Sequence, residues 1–176
     1  MNMARDFSRF PVPALAAVTS NAGEDPFATV YVSSASRRII VCPNLSVEKG
    51  LYIEQEAPIS LAFDSSFDNL GQSVWDALLL FSSSPGLNLR SQNKADWPAY
   101  RVSDAKSIRA FEEEFVRMSV RAFPCVLRVE AAVPAHAAQG LYVGREISNS
   151  CQFESLGELI HLVYRCSVRI AEQEFA

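Results

Sequence analysis

Two stretches of this chain carry the same structural signals in the same order. Gly50-Leu51-Tyr52-Ile53 and Gly140-Leu141-Tyr142-Val143 each run Gly-Leu-Tyr into a β-branched residue. Downstream of each lies a helix start, Phe67-Asp68-Asn69-Leu70-Gly71-Gln72 in the first case and Phe153-Glu154-Ser155-Leu156-Gly157-Glu158 in the second. The first Gly precedes the helix Leu by 20 residues in one copy and by 16 in the other. Strand-like sequence precedes both copies. The pattern reads as a strand–strand–strand–helix unit used twice, in halves 28–82 and 116–170, or as two unrelated strand-to-helix transitions that share local signals.

A chain of 176 residues accommodates either reading in one domain, 1–176, and buries roughly 70% of its unfolded surface without needing a disulfide or metal. Alternating, β-branched sequence predicts strands at Ala28–Ser33 and Arg38–Cys42 around a turn at Ser34–Ser36, with Pro43-Asn44 as the stop. Leu51–Glu54 and Ile59–Phe63 read as two further short strands. Ser65 with Asp68 three residues on fits a capping box. Leu70, Val74, Leu78 and Phe81 then follow at helical spacing with Trp75 beside them. Residues 82–102 read as a long polar connection around Trp97-Pro98, either mobile or an interaction element. Ser103-Asp104 opens a second helix carrying Ile108, Phe111 and Phe115. Strands at Met118–Arg121, Cys125–Glu130 and Leu141–Arg145, a helix at Phe153–Arg165 and an edge strand at Ser167–Ile170 complete the reading. The expected fold is α+β: a single domain with a mainly antiparallel sheet of six or more strands and three principal helices. Leu70, Val74, Leu78, Phe111, Leu156, Ile160 and Val163 form the expected core. Gly71 and Gly157 are expected to let each helix start lie close to the sheet, with Phe67 and Phe153 fixing the angle of entry.

Chemistry is sparse. The two histidines, His136 and His161, belong to no recognisable triad, and His161 aligns with Trp75 in the repeat, which favours a packing role. No Gly-x-Ser-x-Gly elbow and no phosphate-cradling glycine loop occurs. Cys151, Glu154 and His161 span too many helical turns to face one metal ion. Cys42, Cys125, Cys151 and Cys166 are widely spaced, without a Cys-x-x-Cys pair, and read as reduced thiols. No export signal or membrane span is evident, so the expectation is a cytoplasmic protein with no cofactor, no metal and no membrane contact.

Charge is more informative. The net charge is −4, a poor match to a general nucleic-acid binder. Between Glu48 and Asp76 six acids face one base, whereas Arg90–Arg109 holds five bases and two acids. An asymmetric surface of this kind either steers a charged partner or reflects ordinary clustering along the chain.

Phe67-Asp68-Asn69-Leu70-Gly71, the helix ending Ala77-Leu78-Leu79-Leu80-Phe81-Ser82, Trp97, Ala105-Lys106-Ser107-Ile108-Arg109-Ala110-Phe111 running into Val116 and Val120, and Leu156-Gly157 together resemble the immunity proteins of contact-dependent growth inhibition systems. The resemblance covers roughly residues 64–165 and rests on packing residues. It implies a small bacterial cytoplasmic α+β protein, not an enzyme, that binds the C-terminal domain of a cognate toxin, often a nuclease, and occludes its active site or substrate path. An acidic plug for a basic groove would draw on Glu54, Glu56, Asp64, Asp68 and Asp76, with Trp97 as aromatic anchor or packed under its own loop. The rival expectation is a small enzyme or ligand-binding domain centred on His161, Tyr164 and Cys151; a third is a structural subunit with a large exposed apolar face.

Overall fold

The computed structural model describes residues 24–48, 51–84, 97–133 and 141–173. Gly50, His136, Gly140 and the stretch 85–96 of the expected connection lie outside the described residues. The described chain forms a single α+β domain with an eight-stranded, mainly antiparallel sheet and four helices. In order these are β1 (Phe27–Ser33), β2 (Arg38–Glu48), β3 (Leu51–Glu54), β4 (Ile59–Ala62), α1 (Phe67–Leu79), β5 (Ser82–Ser83), α2 (Pro98–Val102), α3 (Ile108–Glu114), β6 (Val116–Ala122), β7 (Val126–Ala132), β8 (Tyr142–Ser148) and α4 (Phe153–Gln173).

The sheet is arranged symmetrically about its middle. Strand order is β3-β2-β1-β6-β7-β8, with β1 and β6 antiparallel neighbours at the centre. Outward from them, β2 mirrors β7, and the edge strands lead into the two long helices. On the first side, β3 and β4 pair with successive segments of β2, Asn44–Glu48 and Arg38–Val41. On the second, β8 runs unbroken along β7. The four residues 55–58 between β3 and β4 match the four-residue difference in spacing between the two sequence copies. We propose that the halves 28–82 and 116–170 are one strand–strand–strand–helix unit used twice.

The two long helices lie on one face of the sheet and run antiparallel across each other. A Cβ built on Gly71 would sit 1.9 Å from the carbonyl oxygen of Phe153, and one built on Gly157 would sit 2.0 Å from that of Phe67. The contact is reciprocal: each helix presses its glycine against the opening residue of the other. The expected close approach is therefore real, but it is helix to helix and not helix to sheet. Beneath the crossing, Leu70, Val74 and Leu78 of α1 and Leu156, Ile160 and Val163 of α4 are fully buried against Val30, Ile39, Val41, Met118, Val120, Leu127 and Val129.

The opposite face of β1 and β2 is covered as well. Tyr31, Ile40 and Cys42 pack there with Ala99 of α2, Phe111 of α3 and Phe115. This second layer explains why every residue of β1 is buried; a strand covered on both faces needs no polar alternation. Phe111, expected in the main core, anchors this smaller one.

Four local expectations need correction. First, β2 does not stop at Pro43 but continues to Glu48. The Pro43 carbonyl accepts from Gln55 N–H at 2.9 Å, on the side away from β1. The missing proline N–H therefore points into the gap between β4 and β3, where no ladder bond is lost. Buried Asn44 then ties the junction together: its amide oxygen accepts from Thr29 N–H and Oγ1, both at 2.9 Å, and its nitrogen donates to the Ile53 carbonyl at 3.2 Å. Second, Ser66, one residue past the expected cap, caps α1 by accepting from Asn69 N–H at 3.2 Å. Third, Ser103 ends α2, with Asp104 at a positive φ of 60°, and it is Ser107 that caps α3. Fourth, Ser167–Ile170 is helical: α4 continues because Val163, Tyr164 and Ser167 keep one buried stripe, and Ser167 Oγ donates to the Tyr164 carbonyl at 2.8 Å.

Because the glycine contacts are with backbone, neither helix can yield by turning a side chain. Gly71→Ala and Gly157→Ala should each destabilise the fold by at least about 2 kcal/mol and lower Tm by roughly 4–12 °C, measured by thermal unfolding followed by circular dichroism. Alanine at Gly144, where a Cβ would first meet the flexible Glu130 side chain at 3.1 Å, should cost much less.

Candidate functional site

The antiparallel crossing places the fifth residue of each helix against the first of the other, and the ninth beyond it. Phe153 meets Trp75 with ring centroids 6.1 Å apart. In the corresponding place, Phe67 meets His161 edge-on at 5.1 Å. Trp75 and His161 each stand eight residues after their helix's opening Phe, so the alignment read from sequence holds in space. The two ends are filled differently. Trp75 is fully buried, whereas His161 borders a concavity of about 570 Å³ together with Arg37, Phe63, Phe67 and Glu154. A second concavity, of about 410 Å³, lies on the other side of Phe67 between Ile147 of β8 and Leu159, Leu162 and Arg165 of α4. Phe67 stands 38% exposed between them, and Leu162 is 43% exposed.

His161 is the titratable centre of this region. Its ring touches Phe63 at 5.4 Å and Phe67 at 5.1 Å, both edge-on. Nε2 is buried without a hydrogen-bond partner among the described residues. Burial, and secondarily the Arg165 guanidinium, holds its pKa below the usual imidazole value. The site thus presents a neutral ring at pH 7. Around it, Asp64 pairs with Arg37 at 2.8 Å, and Glu154 and Glu158 carry no ion pair among the described residues.

The expected acidic set is not gathered into one patch. Asp64 and Asp68 flank the start of α1, at the groove, and Asp76 lies two turns further along the exposed face of α1, where it accepts from Gln72 Nε2 at 2.8 Å. Glu54 and Glu56 belong elsewhere. Glu54 pairs with Asn44 across the ladder and Asp64 sits beside Arg37, which separates them by about 20 Å along β2. Glu56 pairs with Arg101 at 2.8 Å. Glu54 accepts from Tyr31 O–H at 2.5 Å and from Ala99 N–H at 3.3 Å. Burial and the nearby Glu54 charge push the Tyr31 hydroxyl and the Cys42 thiol well above their ordinary pKa values, so both remain protonated beside that carboxylate. Trp97 is half-buried and packs edge-on against Tyr31 at 5.7 Å and Phe111 at 5.1 Å. Glu54 and Trp97 together hold α2 on the sheet.

For the catalytic expectation, the structure brings His161 near Phe63 and Tyr164, but no hydrogen bond joins His161, Tyr164 and Cys151 among the described residues. Tyr164 is buried, and burial raises the Cys151 thiol pKa, away from the thiolate a nucleophile requires. No three metal-binding side chains converge among the described residues, all four cysteines are free, and no described helix is long and apolar enough to cross a membrane. Phe67, Leu162 and Glu158 escaped the sequence reading as surface residues: Phe67 was read as a staple, and an outward Leu on an amphipathic helix gives no local signal.

No protein-family model matches the chain, and no curated protein sequence does. Solved structures share its fold, two of which are informative. One is a protein of unknown function from Neisseria meningitidis, with a TM-score of 0.58 at 17% identity over 81% of this chain and 95% of that one. The other is a chain of the CdiA-CT/CdiI toxin and immunity complex from Yersinia pseudotuberculosis, with a TM-score of 0.58 at 12% identity over 81% of this chain and 97% of that one. This fold is shared with a toxin–immunity complex. At such identities the likeness is one of architecture, and it coincides with the family that the packing residues resemble.

Two outcomes follow from the site. His161 has a folded-state pKa below its unfolded value, so its contribution to stability is complete above about pH 6.5 and is lost as pH falls through the lowered folded value. The urea midpoint should therefore drop on going from pH 7.5 to 5, and His161→Gln should flatten that segment of the profile. Glu54→Ala leaves a buried Tyr31 hydroxyl and the Ala99 N–H without their acceptor, and should cost about 1–3 kcal/mol in urea unfolding with a change in tryptophan fluorescence as Trp97 is released.

Proposed function

We propose that this chain is an immunity protein that binds a cognate toxin domain one-to-one and blocks its active site or substrate path. The observation that carries the reading is the fold shared with a chain of a toxin–immunity complex along 97% of that chain's length, reached independently of the packing residues that resemble the same family. The toxin is proposed to be the C-terminal domain of a large exported protein, met in the cytoplasm and probed in nucleic-acid chemistry first, since an acidic protein of net charge −4 complements a basic substrate groove.

The candidate toxin to test is the C-terminal domain of whichever reading frame lies immediately upstream of this gene. Inducing it alone in a host should stop growth; co-expression of this chain should restore colony formation to near the uninduced level, and the two purified proteins should elute together as a one-to-one complex. Unrelieved toxicity with folded protein present, or separate elution, overturns the reading.

A further inference from the structure

Phe67, together with the two concavities it divides, is the docking face for the toxin, we propose, and its partner is an apolar projection ringed by lysine or arginine. This inference rests on the immunity reading and adds to it the surface and the chemistry of the contact. Three observations converge. The pseudo-symmetric position is sealed by a fully buried tryptophan, Trp75, whereas the end holding His161 stays open by about 570 Å³. At one end Trp75 is buried against Phe153, and at the other His161 borders an open concavity. Next, Phe67 and Leu162, two of the six large exposed apolar side chains among the described residues, border the same 410 Å³ concavity. An aromatic side chain at the centre of a groove is the usual anchor of an interface.

The rim sets the partner's charge. Of the groove's charged groups, Arg37 and Asp64 neutralise each other at 2.8 Å. Glu154, Glu158 and Arg165 remain, with Asp68 one residue beyond Phe67. Asp68 and Glu154 stand in the first turns of α1 and α4 and also complement the helix dipoles there. Glu158 sits in the second turn and has neither role, nor any ion pair among the described residues. Among the described residues, the two lining carboxylates without an ion pair, Glu154 and Glu158, stand against one guanidinium, with Asp68 next to Phe67, and this selects a basic partner; neutral His161 between two phenylalanines, its Nε2 without a hydrogen-bond partner, adds no charge to the floor at pH 7. Of the expected acidic set, Glu54 is bonded internally and Glu56 is paired with Arg101, so neither offers such a surface.

The test uses the full chain and the toxin domain from the adjacent upstream gene, with affinity read by calorimetry at low and high salt. His161→Trp copies the solution at Trp75 and closes the groove; Leu162→Glu and Glu158→Lys alter its exposed wall and rim. All three sites are at least partly exposed, and retained thermal transitions identify the variants that fold. Each should weaken binding by about 10–100-fold, while Lys106→Glu, on the opposite layer, leaves affinity unchanged. Wild-type affinity should fall as salt rises. If the groove variants bind as wild type does, or only Glu56→Lys weakens binding, the docking face is elsewhere and the groove proposal falls while the immunity reading stands. An affinity that does not respond to salt or to Glu158→Lys overturns the basic partner. If wild-type protein neither binds nor protects, the immunity reading fails and takes this proposal with it.

Discussion

The reciprocal contact of Gly71 with Phe153 and Gly157 with Phe67 is the constraint from which the rest of this structure follows. Two helices can approach so closely only where each presents bare backbone, and that places the opening residue of one beside the second turn of the other. Once the crossing is fixed, the ninth residue of each helix must answer the first of its neighbour. Trp75 and His161 acquire their surroundings from that geometry, and so does the groove. A glycine costs about 1 kcal/mol of helix propensity relative to alanine. Retaining two of them in the opening turns of two long helices makes sense when backbone contact returns more than propensity removes.

The same contact explains how much of the fold was legible. Gly-Leu-Tyr, Phe-x-x-Leu-Gly and the buried periodicity of Leu70, Val74 and Leu78 against Leu156, Ile160 and Val163 are local patterns, and each one predicted an element correctly. What local sequence does not contain is what a glycine faces. Gly71 reads equally well as an approach to a sheet or to a helix, and only the sheet order β3-β2-β1-β6-β7-β8 brings α1 and α4 side by side. Pro43 failed as a stop signal for a related reason. A proline ends a strand only if its absent donor was needed, and here that donor falls in the gap between two short edge strands. The edge strand expected at Ser167–Ile170 erred in the opposite direction: β-branched residues suggested extension, and a buried helical stripe outweighed them.

The site was legible only in part, and the division is physical. Asp64 is marked by charge and does border the groove, because β4 delivers it to the turn that holds Arg37, and Asp68 follows Phe67 in the first turn of α1. Glu54 was marked by the same rule, yet its carboxylate is engaged by the Tyr31 hydroxyl and the Ala99 N–H. Charge along a sequence records a sum and not an address: Glu54, on β3, stands opposite Asn44 midway along β2, whereas Asp64, just past β4, sits beside Arg37 at its start. Trp97 illustrates the parallel difficulty for aromatics. A tryptophan in a polar connection suggests an interface anchor, and here its ring lies against Tyr31 and Phe111, building the second core that keeps α2 on the sheet.

Departures from symmetry also bear on where a binding surface arises. A unit packed twice against itself would bury both Phe67 and Phe153 equally, and the domain would present two sealed ends. Replacing one sealing tryptophan by histidine removes packing at a single place while the glycine crossing, the shared core and the sheet centre stay the same. The loss is confined because the crossing is made of backbone and does not depend on what fills the ends. A scaffold of this kind separates two demands that usually conflict: the inward positions hold the fold, and the ninth residue of α4 with its outward neighbours Glu158 and Leu162 shapes the surface without bearing on the crossing.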